Sequence, residues 1–230
     1  MTKTADKLIV ALDVSSKAEA LGLVEQLREQ ISFFKIGLQL YTVAGPEMVR
    51  EIIRQDAGVF LDLKLHDIPN TVGRAVAAAS ELGVQMLTVH LSGGRAMLEA
   101  AVASRTANLS LLGVTVLTSV DETTLRETGV NSSIGEQVLR LANLGAAAGI
   151  DGVIASPHEI KTLRARFGQK LKIVTPGVRP GWAAPGDQKR FATPEEAVRD
   201  GADYLVIGRP ITADTNPREA VRRILDEISA

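Results

Sequence analysis

Short apolar runs alternate with amphipathic stretches along this whole chain, about eight times over, and that rhythm restricts the possible folds more than any other feature. The apolar runs fall at residues 8–13, 33–37, 58–65, 84–90, 109–117, 152–155, 171–175 and 204–208. Each is strand-like in length and most are bounded by glycine or a polar turn. Between them, residues 18–30, 46–55, 69–82, 94–102, 134–148, 157–167 and 217–228 read as helices. The first carries an apolar stripe of Ala20, Leu21, Leu23, Val24, Leu27 and Ile31. Thr193 and Glu196 have the spacing of a capping box at the start of another.

Strands that are apolar throughout, each followed by an amphipathic helix, imply a parallel sheet covered on both sides. About eight such units in 230 residues suit a closed (β/α)8 TIM barrel, a fold of typically about 250 residues, taken here as one domain over 1–230. A doubly wound open sheet ordinarily has fewer units and a glycine fingerprint in its first turn; that turn here is Asp13-Val14-Ser15-Ser16. No internal repeat stands out. The expectation is an α/β barrel.

A barrel does its chemistry at the C-terminal ends of its strands. Collecting residues there gives Asp13, Lys35, Asp62, Lys64, His90, Thr118, Ser156 and, after the last strand, Gly208-Arg209. Alternation along the third strand puts Phe60, Asp62 and Lys64 on one face and Leu61, Leu63 and Leu65 on the other. One such charge alone is ordinarily structural, because an ion pair in solvent or a helix cap explains it. Asp67, just ahead of Pro69, is placed for such a cap. Three acids (Asp13, Asp62, Asp67) and two lysines (Lys35, Lys64) at the ends of three consecutive strands are harder to explain that way. Burying them requires that each ammonium have carboxylate neighbours.

Gly208-Arg209 suggests an anion site, since glycine admits close backbone approach and arginine offers phosphate a two-pronged donor. Barrels commonly hold phosphate in the loops after strands 7 and 8. The loop before that last strand, residues 176–191, carries Arg179 and Gln188 and is long and glycine-rich, as lids are. His66, His90 and His158 show no metal-ligand spacing and read as structural or solvent-facing.

Composition narrows the classes. An apolar fraction of 45% with 23% charged residues is that of an ordinary globular protein, and a net charge of −1 offers no general attraction to nucleic acid or acidic membranes. There is no cysteine, hence no thiolate nucleophile or thiolate metal site. No apolar run approaches the roughly 20 residues that span a bilayer, and the polar N-terminus lacks a signal-peptide pattern. A cytoplasmic location is expected.

These segments together resemble the orotidine 5'-monophosphate decarboxylase family. The matching stretches are Ala11-Leu12-Asp13, Phe34-Lys35-Ile36-Gly37, Asp62-Leu63-Lys64-Leu65-His66-Asp67-Ile68-Pro69-Asn70-Thr71, Pro176-Gly177-Val178-Arg179-Pro180 with Gly186-Asp187-Gln188, and Ile207-Gly208-Arg209-Pro210-Ile211. The Asp-x-Lys-x-x-Asp core also marks relatives that use magnesium, 3-hexulose-6-phosphate synthase and a ketogulonate-phosphate decarboxylase; the loop with Arg179 and Gln188 points to the orotidylate enzymes.

The resemblance implies cofactor-independent decarboxylation of orotidine 5'-monophosphate to uridine 5'-monophosphate, with no metal. It implies Lys64 as proton donor to C6 of the pyrimidine, Asp62 against the substrate carboxylate, and Lys35 and Asp67 completing the charge network. Asp13 and Lys35 would bind the ribose, Thr118 the pyrimidine edge, Gln188 base and phosphate, and Arg179, Gly208 and Arg209 the phosphate. Asp67 and Thr71 would reach a neighbouring subunit's site, with Ile68 among the substrate-binding residues, so a homodimer with shared sites is implied. The rival readings are a magnesium-dependent sugar-phosphate aldolase or decarboxylase of the same superfamily, and a non-catalytic sensor of a phosphoribosyl ligand.

Overall fold

The apolar runs become strands because each is too short to bury itself as a helix and carries apolar side chains on both faces. In a computed structural model, which describes residues 4–183 and 192–229, they form β1 (Leu8–Ala11), β2 (Phe33–Gly37), β3 (Gly58–Leu65), β4 (Met86–His90), β5 (Ser110–Val114), β6 (Gly152–Ile154), β7 (Lys172–Thr175) and β8 (Tyr204–Ile207). The strands pair in parallel in chain order, and β8 pairs back to β1 through Leu8↔Leu205, Ile9↔Val206 and Val10↔Ile207, closing the barrel. Around it run α1 (Lys17–Leu27), α2 (Leu38–Ile53), α3 (Pro69–Glu81), α4 (Gly94–Ser104), α5 (Glu122–Glu127), α6 (Ile134–Ala148), α7 (Ile160–Phe167), α8 (Pro194–Asp200), α9 (Arg209–Thr212) and α10 (Pro217–Ser229). The expected TIM barrel is the fold observed.

Strand alternation sorts the core into two parts. Ile9, Ala11, Phe60, Met86, Leu112, Val174 and Val206 point inward and fill the barrel. Their strand neighbours Leu8, Val10, Phe34, Leu61, Leu87, Leu111, Ile173 and Leu205 point outward and meet the helices. Each large side chain fully buried in this way contributes about 1.5–3 kcal/mol. The inner column is apolar low in the barrel and becomes charged at the strand ends, so one alternating pattern makes both a plug and a site.

Several expectations needed correction. A helix begins at Leu38, ahead of the expected start at Pro46; Gly45, at φ 62, breaks its course and Pro46 opens the second segment. The short α5 and α9 were not foreseen; Asp121 caps α5 by accepting the Thr124 N–H at 2.9 Å. Asp67 does not cap α3: its Oδ1 accepts from the adjacent Ile68 N–H at 2.6 Å, and Ile68 holds the cap position without a side-chain bond. The capping box of Thr193 and Glu196 is present as expected.

A structural repeat runs around the bottom of the barrel. Gln85, Asp151 and Asp203 each immediately precede an even-numbered strand, β4, β6 and β8. Each accepts a backbone N–H near the start of the preceding odd-numbered strand: Val59 to Gln85 Oε1 at 2.6 Å, Leu111 to Asp151 Oδ2 at 2.8 Å, Ile173 to Asp203 Oδ2 at 2.7 Å. Their own N–H groups return the bond to the carbonyls of the same residues. Two residues before each stands a glycine of positive φ, Gly83, Gly149 and Gly201, which ends the foregoing helix. The pattern Gly-apolar-Asp/Gln thus fixes strand register three times around the bottom of the barrel.

Candidate active site

At the top of the barrel the inner column ends in a row of charges. Lys35 Nζ donates to Asp13 Oδ1 at 2.8 Å and lies 3.8 Å from Asp62 Oδ2, and Lys64 Nζ donates to that same Asp62 Oδ2 at 2.7 Å. The order is carboxylate, ammonium, carboxylate, ammonium. The middle pair is the most enclosed, with Lys35 and Asp62 side chains only 10% and 13% exposed, whereas Asp13 opens to solvent. Each buried charge has an opposite neighbour, which offsets much of the cost of leaving water.

The backbone is shaped around this row. Leu61↔Leu87 pairing is followed by Leu65↔Val89, so β3 bulges between Asp62 and Lys64. Within the bulge Lys64 takes φ 51, a left-handed conformation costing of order 1–3 kcal/mol in a non-glycine residue and characteristic of functional sites. Gly37 leaves room beside the first pair: a Cβ there would lie 3.0 Å from Lys35 Nζ and 3.2 Å from Asp13 Oδ1.

These charges form one wall of a cavity of about 450 Å³. Its floor is apolar, made by Phe60, Val114, Ile154 and Val206. The same cavity is lined by Thr118, Arg179, Gly208 and Arg209, all expected from the sequence to meet a ligand, and Gly208 lies beside Asp13, where a Cβ on it would be 3.7 Å from Oδ2. A cavity with two arginines, an apolar floor and a row of alternating charges can hold an anionic, partly planar ligand.

Other expected site residues fall elsewhere. Asp67, Ile68 and Thr71 are exposed and lie outside the cavity lining, and among the described residues Asp67 joins no ion pair with Lys64 or Lys35. The expected completion of the charge network by Asp67 therefore does not occur within one chain; the turn at 66–68 carries its carboxylate out onto the rim. Gln188 lies outside the described residues. His66 is exposed and lies tilted against half-buried His90, with ring centroids 5.4 Å apart. Burial, then the nearby His66 and Lys64, hold the His90 imidazole below its ordinary value of 6.5, which favours the neutral ring. Neither ring lines the cavity, and His158 is exposed on the short helical turn Pro157–Glu159.

Thr88 is a neighbour of the charges that sequence reasoning missed. It is wholly buried, its Oγ1 donates to Asp62 Oδ1 at 2.9 Å, and it accepts the Lys64 N–H at 2.8 Å. Threonine inside a strand is ordinary, so only its even spacing from His90 along the inward face of β4 could have singled it out.

A closed parallel barrel with acids and lysines interleaved at its strand ends, in a cavity that two arginines also line, has the make-up of a barrel enzyme. Comparison with known proteins is more particular. The family model described as Orotidine 5'-phosphate decarboxylase / HUMPS family matches residues 6–224. The orotidine 5'-phosphate decarboxylase of Syntrophotalea carbinolica is 48% identical over all of this chain and 98% of its own length. That of Moorella thermoacetica is 50% identical over 97% of this chain and 92% of its own. Among solved structures, orotidine 5'-phosphate decarboxylase from Lactobacillus acidophilus superposes with a TM-score of 0.87 at 36% identity, covering 98% of this chain and all of that one. The chain belongs to the orotidine 5'-phosphate decarboxylase / HUMPS family.

Proposed function

We propose that this protein decarboxylates orotidine 5'-monophosphate to uridine 5'-monophosphate and CO2, the last step in making the first pyrimidine nucleotide, and that it does so without a cofactor. The observation that carries this reading is the row Asp13–Lys35–Asp62–Lys64 at the cavity wall, in a chain whose relatives of that name match it end to end. Those same relatives favour this reading over a magnesium-dependent reaction on a sugar phosphate.

The chemistry fits the residue types. Loss of CO2 from C6 leaves a carbanion that the pyrimidine ring delocalises poorly. The Lys64 ammonium, held by Asp62, would stabilise that charge as it develops and then deliver its proton to C6. Asp62 would lie against the departing carboxylate and raise the ground state by like-charge contact, a smaller contribution than carbanion stabilisation. Lys35 would hold both carboxylates apart and, with Asp13, bind the ribose hydroxyls. Arg179, Gly208 and Arg209 would take the phosphate, with Thr118 at the pyrimidine edge and Gln188 reaching base and phosphate. Phosphate binding far from C6 supplies energy that can be used to order the site around the reacting carbon.

The same reading includes a homodimer with shared sites, in the cytoplasm, each chain being one barrel domain over residues 1–230. Asp67, Ile68 and Thr71 stand exposed on the rim, beyond reach of their own cavity, where they could complete a partner's. Leu38, Val43 and Ile68 are exposed apolar side chains, and a second copy would cover such surface. No described helix is long and apolar enough to cross a membrane.

Lys64→Ala tests the assignment of roles. It is expected to abolish turnover while binding uridine 5'-monophosphate nearly as tightly as the unaltered protein, measured by calorimetry. A variant that keeps a near-normal rate would remove Lys64 from the role of proton donor.

A further inference from the structure

We propose that Thr88 is a positioning residue for this reaction, which sets the geometry of Asp62 and Lys64 from behind the cavity wall; the inference rests on the function proposed above. Thr88 is fully buried and is not among the residues that line the cavity, so it acts through its neighbours rather than on a ligand.

Its hydroxyl has one proton and two lone pairs. The Lys64 backbone N–H, 2.8 Å away, takes a lone pair, and the single proton is directed to Asp62 Oδ1, 2.9 Å away. One oxygen atom therefore ties together the backbone of one reacting residue and the side chain of the other. Asp62 is thereby divided between two tasks, with Oδ1 engaged by Thr88 and Oδ2 facing Lys64 Nζ at 2.7 Å and Lys35 Nζ at 3.8 Å. A carboxylate held at both oxygens cannot rotate, so the Lys64 ammonium that pairs with it is held as well.

The backbone bond matters for a second reason. The bulge between Leu61 and Leu65 disrupts the regular ladder with β4, and Lys64 sits inside it at φ 51. Its N–H, in a half-buried residue, needs an acceptor that the irregular ladder does not provide, and Thr88 provides one from the adjoining strand. The threonine side chain suits the task because its branched Cβ restricts χ1 and its surroundings are closed. Pre-set donors and charges of this kind are what make electrostatic stabilisation of a transition state effective.

The test compares Thr88→Val, Thr88→Ser and the unaltered protein by kcat and KM for orotidine 5'-monophosphate and by affinity for uridine 5'-monophosphate. Thr88→Val keeps the shape and loses both hydrogen bonds. It is expected to lower kcat about 10- to 100-fold with KM and product affinity within about threefold. Thr88→Ser keeps the hydroxyl and is expected to stay within about threefold in kcat. An unchanged kcat in Thr88→Val, or an equal loss in Thr88→Ser, would overturn the proposal. Should Thr88→Val fail to fold, Thr88→Ala against Thr88→Ser poses the same question. A crystal structure of the valine variant reads the geometry without any turnover, so it stands even if the substrate assignment fails. It is expected to show the Asp62–Lys64 pair moved by more than about 0.5 Å. A pair that stays in place would overturn the proposal.

Discussion

Lys64 occupies a backbone conformation that glycine adopts freely and other residues adopt only under constraint. The chain accepts that cost where an ammonium must face inward beside Asp62, and the bulge in β3 is how the side chain gets there. Gly37 serves the same row by omission. In Gly37→Ala the new methyl would crowd both Lys35 Nζ and Asp13 Oδ1, so one of that pair must shift by a few tenths of an ångström. The fold should survive with kcat/KM reduced about tenfold, since small misplacements in a site are costly; a steady-state assay on the variant checks this, and an unchanged value would mean the pair has slack. At this scale the sequence was informative where a charge interrupted an apolar run: Asp13, Lys35, Asp62 and Lys64 all stand out against their neighbours. Thr88 did not, because strand propensity alone accounts for a threonine.

Near the start of β3, β5 and β7 one backbone N–H is left to a side chain, and the chain supplies it the same way three times. Gln85, Asp151 and Asp203 reach sideways to the strand before them. At Asp203 the carboxylate also pairs with Arg164, which in turn bonds the Gly201 carbonyl and so ties α7 to the turn before β8. Asp203→Ala should destabilise the fold by about 1–3 kcal/mol by leaving the Ile173 N–H unsatisfied. Denaturant unfolding would measure it, with catalysis at saturating substrate unchanged because the site lies at the other end of the barrel; an unchanged midpoint would show the cap to be dispensable. The strands and long helices were legible because periodicity reports burial. The helical segment opening α2 was not, because Pro46 is a stronger start signal than Leu38, and α5 was not, because six residues carry too little periodicity to read.

For the whole molecule, eight repeated units force closure, and closure brings to one mouth residues separated by nearly the full chain, from Asp13 to Arg209. That much follows from rhythm alone. What rhythm cannot report is which chain a rim residue serves. Asp67 lies five residues after Asp62 and resembles part of the same network, yet it is exposed and is not among the residues lining its own cavity. If it serves a partner, dimers mixed from Asp67→Ala and Lys64→Ala chains should recover at most one working site, formed by the Lys64 of one chain and the Asp67 of the other. Mixing two inactive variants and seeing activity appear would support sharing; activity that never exceeds the sum of the parents would count against it.

The reaction at stake is decarboxylation of a pyrimidine nucleotide by these charges unaided. Its most direct test is the ultraviolet absorbance of orotidine 5'-monophosphate mixed with purified protein in EDTA. Rapid loss of the orotate absorbance is expected, with uridine 5'-monophosphate and CO2 formed in equal amounts. A folded protein that leaves the absorbance unchanged, and becomes active only when magnesium and a hexulose or ketogulonate phosphate are supplied, would contradict it.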